Sequence, residues 1–153
     1  MSKISKLTPD KELASILDGN IIVQTSASNS HAIRAYGSNE RPNKNLSDEF
    51  IDLSWNGGAQ SLTGNYSLLR GNLMLSIYVK TQTDGRSKKN IISQIISQCE
   101  DIINNIEPKN FYFEFVPTNV IMPTTVNLTN GYSTTILNVS WRVTNDFINK
   151  LNK

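Results

Sequence analysis

The stretch that decides the fold is LLRGNLMLSIYVK, residues 68–80, in which apolar and polar side chains alternate. The apolar series is Leu73, Leu75, Ile77 and Val79, and the intervening series is Met74, Ser76, Tyr78 and Lys80. Because successive side chains of a β-strand point to opposite faces, this alternation predicts a long strand with one strongly apolar face. The following TQTDGR, residues 81–86, predicts a turn centred on its Asp-Gly pair.

After the turn, apolar residues recur with a helical period and predict an amphipathic helix over 87–106, with Ser87 as its N-cap. The apolar stripe consists of Ile91, Ile92, Ile95, Ile96, Cys99, Ile102, Ile103 and Ile106. Isoleucine is β-branched and has only middling helix propensity, so packing of this stripe must stabilise the helix. The opposite face is polar, and either solvent or a protein partner would cover it.

The remaining elements are shorter. Residues 8–18 predict a helix with Thr8 as its N-cap, Pro9 in its first turn and Gly19 as its C-terminal stop. Strand patterns rich in β-branched or aromatic residues lie at 21–25, 50–55, 111–116 and 132–143. A candidate short strand lies at 31–36, within a stretch that is otherwise typical of a loop.

Together these elements predict an α+β fold in a single domain over residues 1–153. We expect a mixed, mostly antiparallel sheet of about four to five strands, with two helices packed on one face. A long loop at 26–49 and a polar C-terminal tail at 146–153 complete the predicted domain. The second sheet face carries Ser, Thr, Asn and Tyr, so we expect it to face solvent or to serve as an assembly surface.

The composition indicates an ordered domain with a polar surface. Asn, Ser and Thr contribute 19, 17 and 12 of the 153 residues, and the formal net charge is only +2. No run of like charge exceeds two residues, which disfavours a nucleic-acid-binding module with Lys and Arg concentrated on one face. No apolar run approaches the ~20 residues that span a bilayer, so we expect no membrane association. The first residues lack the apolar core of a secretory signal, which predicts synthesis in the cytoplasm.

The sequence predicts no catalytic, cofactor or metal site. With Cys99 and His31 as the single cysteine and histidine, a four-ligand Cys/His zinc site is excluded, and any Ser-His-Asp triad would need that one imidazole. No nucleophile motif accompanies His31, so a loop or surface position is favoured. Cys99 lies in the apolar stripe, which predicts a buried, inert thiol. Asp48, Glu49 and Asp52 lack the spacing of a calcium loop, so an acidic loop edge is favoured.

Charged residues around the turn are the candidates for contacts between subunits. Arg86, Lys88 and Lys89 lie where the long helix begins, and cations there oppose the helix dipole unless they meet an acidic partner. A subunit contact is one interpretation, and a solvated face is the favoured one. Asp84 in the turn and Arg70 at the start of the long strand complete this set of candidate subunit-contact residues.

The segment 66–106 resembles the centre of the tail terminator (tail completion) proteins of long-tailed bacteriophages. Its layout is RGNLMLSIYV at 70–79, a Gly-containing turn, and a helix that begins Ser-Lys-Lys at 87–89. In that family an aromatic residue and Arg-Gly lead into a Gly-x-Leu-x-Val-x-Val strand, a Gly-containing turn and an amphipathic helix. The final strand at 131–143 and the N-terminal helix, strand and variable loop are also similar to the family's layout.

The resemblance implies a structural virion protein without catalytic residues. Its α+β subunits would form a hexameric ring that caps the tail tube, ends tube polymerisation and provides the head–tail joining surface. The implied partners are further copies of the chain, the tail tube protein and a head-completion or connector protein, while DNA would only pass through the ring lumen. The implied location is the tail or neck of the virion. Ring interfaces are heterologous, so the 26–49 loop, the 81–88 turn and the 117–130 segment are candidate contacts.

Two alternatives belong to other classes. Another neck, connector or tail-tube protein would share the assembly logic, although no long β-hairpin arm of the kind that builds a tube is evident in the sequence. A small ligand-binding or enzymatic domain would have to use His31. A nucleic-acid-binding domain is the weakest of the interpretations, for the reasons of charge given above.

Overall fold

A computed structural model describes residues 8–42, 49–55, 70–116, 124–127 and 131–151. The helices are α1 (Pro9–Leu17), α2 (Lys89–Asn105) and α3 (Asn145–Leu151). The strands are β1 (Ile22–Gln24), β2 (Ser30–Ala32), β3 (Arg34–Tyr36), β4 (Glu49–Trp55), β5 (Arg70–Lys80), β6 (Phe111–Phe115), β7 (Thr124–Asn127) and β8 (Tyr132–Val143). The predicted long strand and long helix therefore correspond to β5 and α2.

The main sheet is built around its two longest strands, β5 and β8, which lie side by side. Its order is β3-β4-β5-β8-β6, and β7 pairs with β8 beyond the end of β6. β3 and β4 run parallel, and the other neighbours run antiparallel. This architecture confirms the predicted α+β fold with a mixed, mostly antiparallel sheet.

One face of the main sheet, here called the inner face, is apolar and carries α1 and α2. On β5 it presents Leu73, Leu75, Ile77 and Val79, all fully buried. The register places Leu75 between Leu53 of β4 and Leu137 of β8, so apolar side chains adjoin across three strands. The helices add Leu13, Leu17, Ile95, Cys99 and Ile103 to the same core. Each large apolar side chain buried here contributes roughly 1.5–3 kcal/mol before entropy is subtracted.

The 26–49 region, predicted as a loop with a candidate short strand at 31–36, contains two short strands there, β2 and β3. β2 pairs with β1 in a separate two-stranded sheet, and β3 joins the main sheet. Ile33 separates them, and its N–H donates to the Ile21 carbonyl at 3.0 Å. Residues 43–48 lie outside the described residues, as do 117–123 and 128–130 of the third candidate contact segment.

The predicted polar tail at 146–153 begins instead with a helix, α3. Phe147 is only 7% exposed, and its ring centroid lies 5.3 Å from that of Phe111. The Thr144 hydroxyl accepts a hydrogen bond from the Phe147 N–H at 3.2 Å and so caps the helix. Phe147 thus packs this short helix on β6, and the partly buried Ile148 adds to its contact with the core. Residues 152–153 lie outside the described residues.

Thr8 is the N-cap of α1, as predicted, although its side chain makes no capping hydrogen bond. The predicted N-cap role of Ser87 is wrong, because α2 begins one residue later than predicted, with Lys88 as its N-cap. Pro9 does lie in the first turn of α1. Gly19 adopts φ 76° just beyond the end of α1, a left-handed conformation that glycine adopts without steric cost.

Candidate functional site

The five candidate subunit-contact residues lie at opposite ends of β5. Arg70 begins this eleven-residue strand, whose ends are about 33 Å apart. Asp84 and Arg86 lie beyond the C-terminal end of β5. The Arg86 Nε donates to an Asp84 carboxylate oxygen at 2.7 Å, and the Arg86 side chain is 78% exposed. Lys88 is the N-cap of α2 and Lys89 its first residue. The structure therefore groups four of the five residues and places Arg70 far from them.

A second arginine lies opposite Arg70 on the outer face of the main sheet. The register pairs Arg70 with Arg142 of β8 and pairs Arg142 with Tyr112 of β6, so the three side chains cross three neighbouring strands. We call them the arginine row. The Arg142 guanidinium lies over the Tyr112 ring, 4.1 Å from its centroid. Both arginines are exposed, and within the described residues neither forms an ion pair with a carboxylate.

This juxtaposition of arginines is unfavourable for the isolated fold. Directly opposite side chains on antiparallel strands have Cβ atoms about 4.5–5.5 Å apart, and like charges at such positions destabilise the pair. Stacking on Tyr112 supports the Arg142 guanidinium by a cation–π contact, which offsets part of this cost. The outer face thus retains two adjacent positive charges at this end of the sheet.

A cavity of about 750 Å³ opens beside the arginine row. Its wall includes both arginines and Tyr112, together with Glu114 two residues further along β6. Apolar groups from the chain after α2, Ile106 and Pro108, complete part of the same wall. The cavity therefore combines two cations, one carboxylate and apolar surface.

Gly71 and Trp141 form the inner-face side of this region. They are paired in the β5–β8 register, and a Cβ atom on Gly71 would lie 2.6 Å from the Trp141 Cζ2. Trp141 is 2% exposed, and the rings of Trp55 and Phe111 meet it edge-on at 5.6 and 5.5 Å. Its indole Nε1 has no hydrogen-bond partner within the described part of the chain. The close approach of the indole therefore requires glycine at position 71.

The outer face of the main sheet has a second end, far from the arginine row, which is less polar than the Ser, Thr, Asn and Tyr of this face predict. Phe50 is 4% exposed and stacks on Tyr78, with 4.8 Å between ring centroids. The Arg41 guanidinium lies 5.2 Å from the Phe50 centroid, and its Nη1 is 3.5 Å from a carboxylate oxygen of Asp52. Partial burial raises the pKa of Asp52, and the positive charge of Arg41 opposes this shift. The chain itself thus covers much of this end.

The chain also closes one edge of the main sheet. The outward N–H of Ala35 in β3 donates to an Asp18 carboxylate oxygen at 3.0 Å. The carbonyl of Ile33 accepts a hydrogen bond from the Gly19 N–H, also at 3.0 Å. The end of α1 and the residues after it therefore satisfy backbone groups that an edge strand would otherwise expose.

Within the part of the chain that the structure describes, the opposite edge, at β6, is closed only at its first residue. The Phe111 N–H donates to the Glu12 carboxylate at 3.2 Å, so odd-numbered residues of β6 face away from β8. Burial raises the pKa of Glu12, and this hydrogen bond opposes the shift. Phe113 and Phe115 are odd-numbered too, so their backbone N–H and C=O groups also point away from β8, and these groups make no hydrogen bond with any described residue. We call the backbone groups of these two residues the open edge.

Two glutamines of α2, here the glutamine pair, close the free edge of β1. Gln98 accepts from the Ile22 N–H at 2.8 Å and donates to the Ile22 carbonyl at 2.6 Å. Gln94 makes the equivalent bonds to Gln24 at 2.8 and 3.1 Å. Each side-chain amide thus replaces the backbone groups of a neighbouring strand. The polar face of α2, predicted to meet solvent or a partner, is covered here by the chain's own small sheet.

The remaining chemically reactive groups have structural partners or are buried. His31 lies in β2, and its Nε2 is 2.6 Å from a Glu49 carboxylate oxygen. Glu49 is 1% exposed within β4, so the predicted acidic loop edge is wrong for this residue. Burial raises the pKa of the Cys99 thiol to about 12. Among the residues that the structure describes, no cluster of His, Cys, Asp and Glu suits a metal ion, and no helix is long and apolar enough to span a membrane.

Sequence reasoning identified Arg70 but missed Arg142, Tyr112 and the glutamine pair. Arg142 and Tyr112 each belong to the polar series of a strand in which polar and apolar side chains alternate. The pattern therefore indicates that both lie on the face of the sheet opposite the core. Their adjacency to Arg70 depends on strand register, which alternation alone does not determine. The i, i+4 spacing of Gln94 and Gln98 indicates one helix face but not the strand it meets.

No protein-family model matches this chain, and no curated protein matches it. The resemblance to tail terminator proteins therefore stays a prediction from the sequence layout of residues 66–106 and 131–143 and the order of the N-terminal elements.

Proposed function

We propose that this chain is a structural virion subunit of the tail terminator type. It is made in the host cytoplasm and assembles into a ring, hexameric as in the family, in the tail or neck of a phage. The ring caps the tail tube, ends its polymerisation and provides the surface on which the head connector docks. The proposed partners are other copies of the chain, the tail tube protein and a head-completion or connector protein.

The open edge is the observation that most directly supports this proposal. Exposed backbone donors and acceptors on an edge strand are a template for pairing with a further strand, and folded proteins usually cover them. Among the described residues, the β3 edge and the β1 edge are covered, whereas no hydrogen bond covers the outward backbone groups of Phe113 and Phe115 in β6. A ring interface is heterologous, so this edge would meet a different surface on the next subunit.

The test is the solution mass of a variant in which the open edge lacks a donor. Phe113→Pro removes the backbone N–H at 113, and because this group faces away from β8, the ladder between β6 and β8 is preserved. Phe113→Ala is the matched control, since it removes the same ring but keeps the donor. Light scattering across concentration should show a hexamer for the wild type and the alanine variant, and a monomer for the proline variant.

Tail tubes supply the second arm of this experiment. Added to growing tubes, the wild-type protein should stop elongation, and the proline variant should not. A protein that remains monomeric at every concentration and leaves tube length unchanged would contradict the proposal and favour a small binding domain. A protein that polymerises by itself into long tubes would identify a tube subunit instead.

A further inference from the structure

We propose that the arginine row and its adjoining cavity bind a carboxylate-bearing peptide segment of a protein partner. This inference goes beyond the ring proposed above and does not require it. It rests on the register that places Arg70 opposite Arg142, on the stacking of Arg142 over Tyr112, and on the mixed wall of the cavity.

The charge arrangement indicates an anionic group in the occupant. Two like charges directly opposite each other destabilise a pair of strands, and an anion bound between them adds two attractions that outweigh the repulsion. Glu114 is the one carboxylate among the described residues of the cavity wall, and it makes no ion pair with any of them. The two arginines therefore face the cavity without a neutralising partner among the described residues.

The geometry of Arg142 favours a planar, two-oxygen anion. The guanidinium is held over the Tyr112 ring, so less side-chain freedom is lost when an anion binds along its edge. A carboxylate accepts two parallel hydrogen bonds from such an edge, and this bidentate geometry is stronger and more specific than a single hydrogen bond. Arg70, exposed on the neighbouring strand, supplies the second charge.

The size and the mixed wall of the cavity favour a peptide. About 750 Å³ is far more than one carboxylate fills, and it lies within the usual range of about 300–1,000 Å³ for ligand sites. Ile106 and Pro108 offer apolar surface to a neighbouring side chain. Glu114 would repel the regular negative charges of a nucleic acid, but it would accept a backbone N–H or a basic side chain of a peptide.

The experiment is an NMR titration of the isotope-labelled full chain, following the Arg Nε–H signals. The probe is the blocked peptide acetyl-Leu-Glu-Glu-Leu-amide, and the probe control is acetyl-Leu-Gln-Gln-Leu-amide. We expect saturable shifts of the Arg142 and Arg70 signals with the Glu peptide, and at least about tenfold weaker binding of the Gln peptide. Arg142→Gln and Arg70→Gln should each weaken binding about tenfold.

Arg86→Gln is the matched control, because it removes the same charge from an exposed arginine beyond the other end of β5. Its affinity should equal that of the wild type, and an equal loss would overturn the proposal by showing that only net charge matters. Tighter binding of inorganic phosphate or of a single-stranded DNA 12-mer than of the Glu peptide would also overturn it, as would no shift at about 10 mM peptide. Arg70 is exposed and forms no ion pair or cation–π contact with any described residue, so Arg70→Gln remains decisive if Arg142→Gln fails to fold.

Because the titration reads single side chains, it separates this site from the ring. Loss of peptide binding in Arg70→Gln with an unchanged oligomeric mass would confirm the site whatever the ring does. Absence of peptide binding in a wild-type protein that still forms a ring would overturn the site and leave the proposed function standing.

Discussion

Replacing Gln98 with alanine should open one end of the free edge of β1 while leaving the core packed. The substitution removes one acceptor for the Ile22 N–H and one donor to the Ile22 carbonyl. Each such hydrogen bond contributes about 0.5–1.5 kcal/mol net, which gives a loss of about 1–3 kcal/mol. The site is exposed, so water replaces part of the lost bonding, and we expect a value near 1 kcal/mol.

Two assays measure this effect at different scales. A loss of about 1 kcal/mol lowers the melting temperature of a domain of this size by about 2–4 °C. In native-state hydrogen exchange, the Ile22 amide should exchange about fivefold faster, because its partner is lost. The Gln24 amide should change less, since Gln94 still accepts its hydrogen bond, and Gln94→Ala combined with Gln98→Ala should release both.

Ser97→Ala is the control for this prediction, since Ser97 is an exposed neighbour on the same helix. It should leave the exchange of Ile22 unchanged. Wild-type exchange at Ile22 in the Gln98→Ala protein would refute the reasoning, because it would mean that another group closes this edge. An equal acceleration by Ser97→Ala would refute it as well, by attributing the effect to the helix rather than to the amide.

Two further substitutions test the packing of Trp141 and the charge on the outer face. Gly71→Ala should cost about 1–3 kcal/mol in denaturant unfolding and alter the tryptophan fluorescence, because the new Cβ would lie 2.6 Å from the indole; unchanged stability would contradict this. Asp52→Asn should be more stable than the wild type near pH 7, since burial raises the pKa of Asp52 above its ordinary value of 3.8. A raised carboxyl pKa means that this group contributes stability at low pH and loses it as pH rises through the folded pKa. The difference between Asp52→Asn and wild type should therefore vanish near pH 3, and a difference that grew on acidification would contradict the burial argument.

The elements predicted most successfully are those whose side-chain period extends over many residues. β5 buries one complete series of apolar side chains and α2 buries most of its apolar stripe, so the period determines both the element type and the buried face. The missed helix α3 has only a short apolar series, and its docking depends on Phe147 reaching the ring of Phe111 in a strand distant along the chain. A local pattern contains no information on that contact.

The candidate site was predicted only in part, for the same physical reason. Arg70 stands out because a charge at the start of an apolar strand is conspicuous, but its significance depends on Arg142 facing it in the folded sheet. The helix starts were also predicted only in part. Thr8 does occupy the N-cap of α1, but its side chain makes no capping hydrogen bond, and the N-cap of α2 is Lys88 rather than Ser87.

The position of β8 within the sheet has a consequence for synthesis of the chain. β8 lies between β5 and β6, yet it follows both of them in the sequence. At about 5–20 residues per second, the ribosome needs on the order of seconds to add the residues between β6 and the end of β8. During that time β5 and β6 both lack the strand that lies between them in the folded sheet, and their apolar side chains stay exposed. The growing chain would therefore be most prone to aggregation in this interval, and most in need of a chaperone.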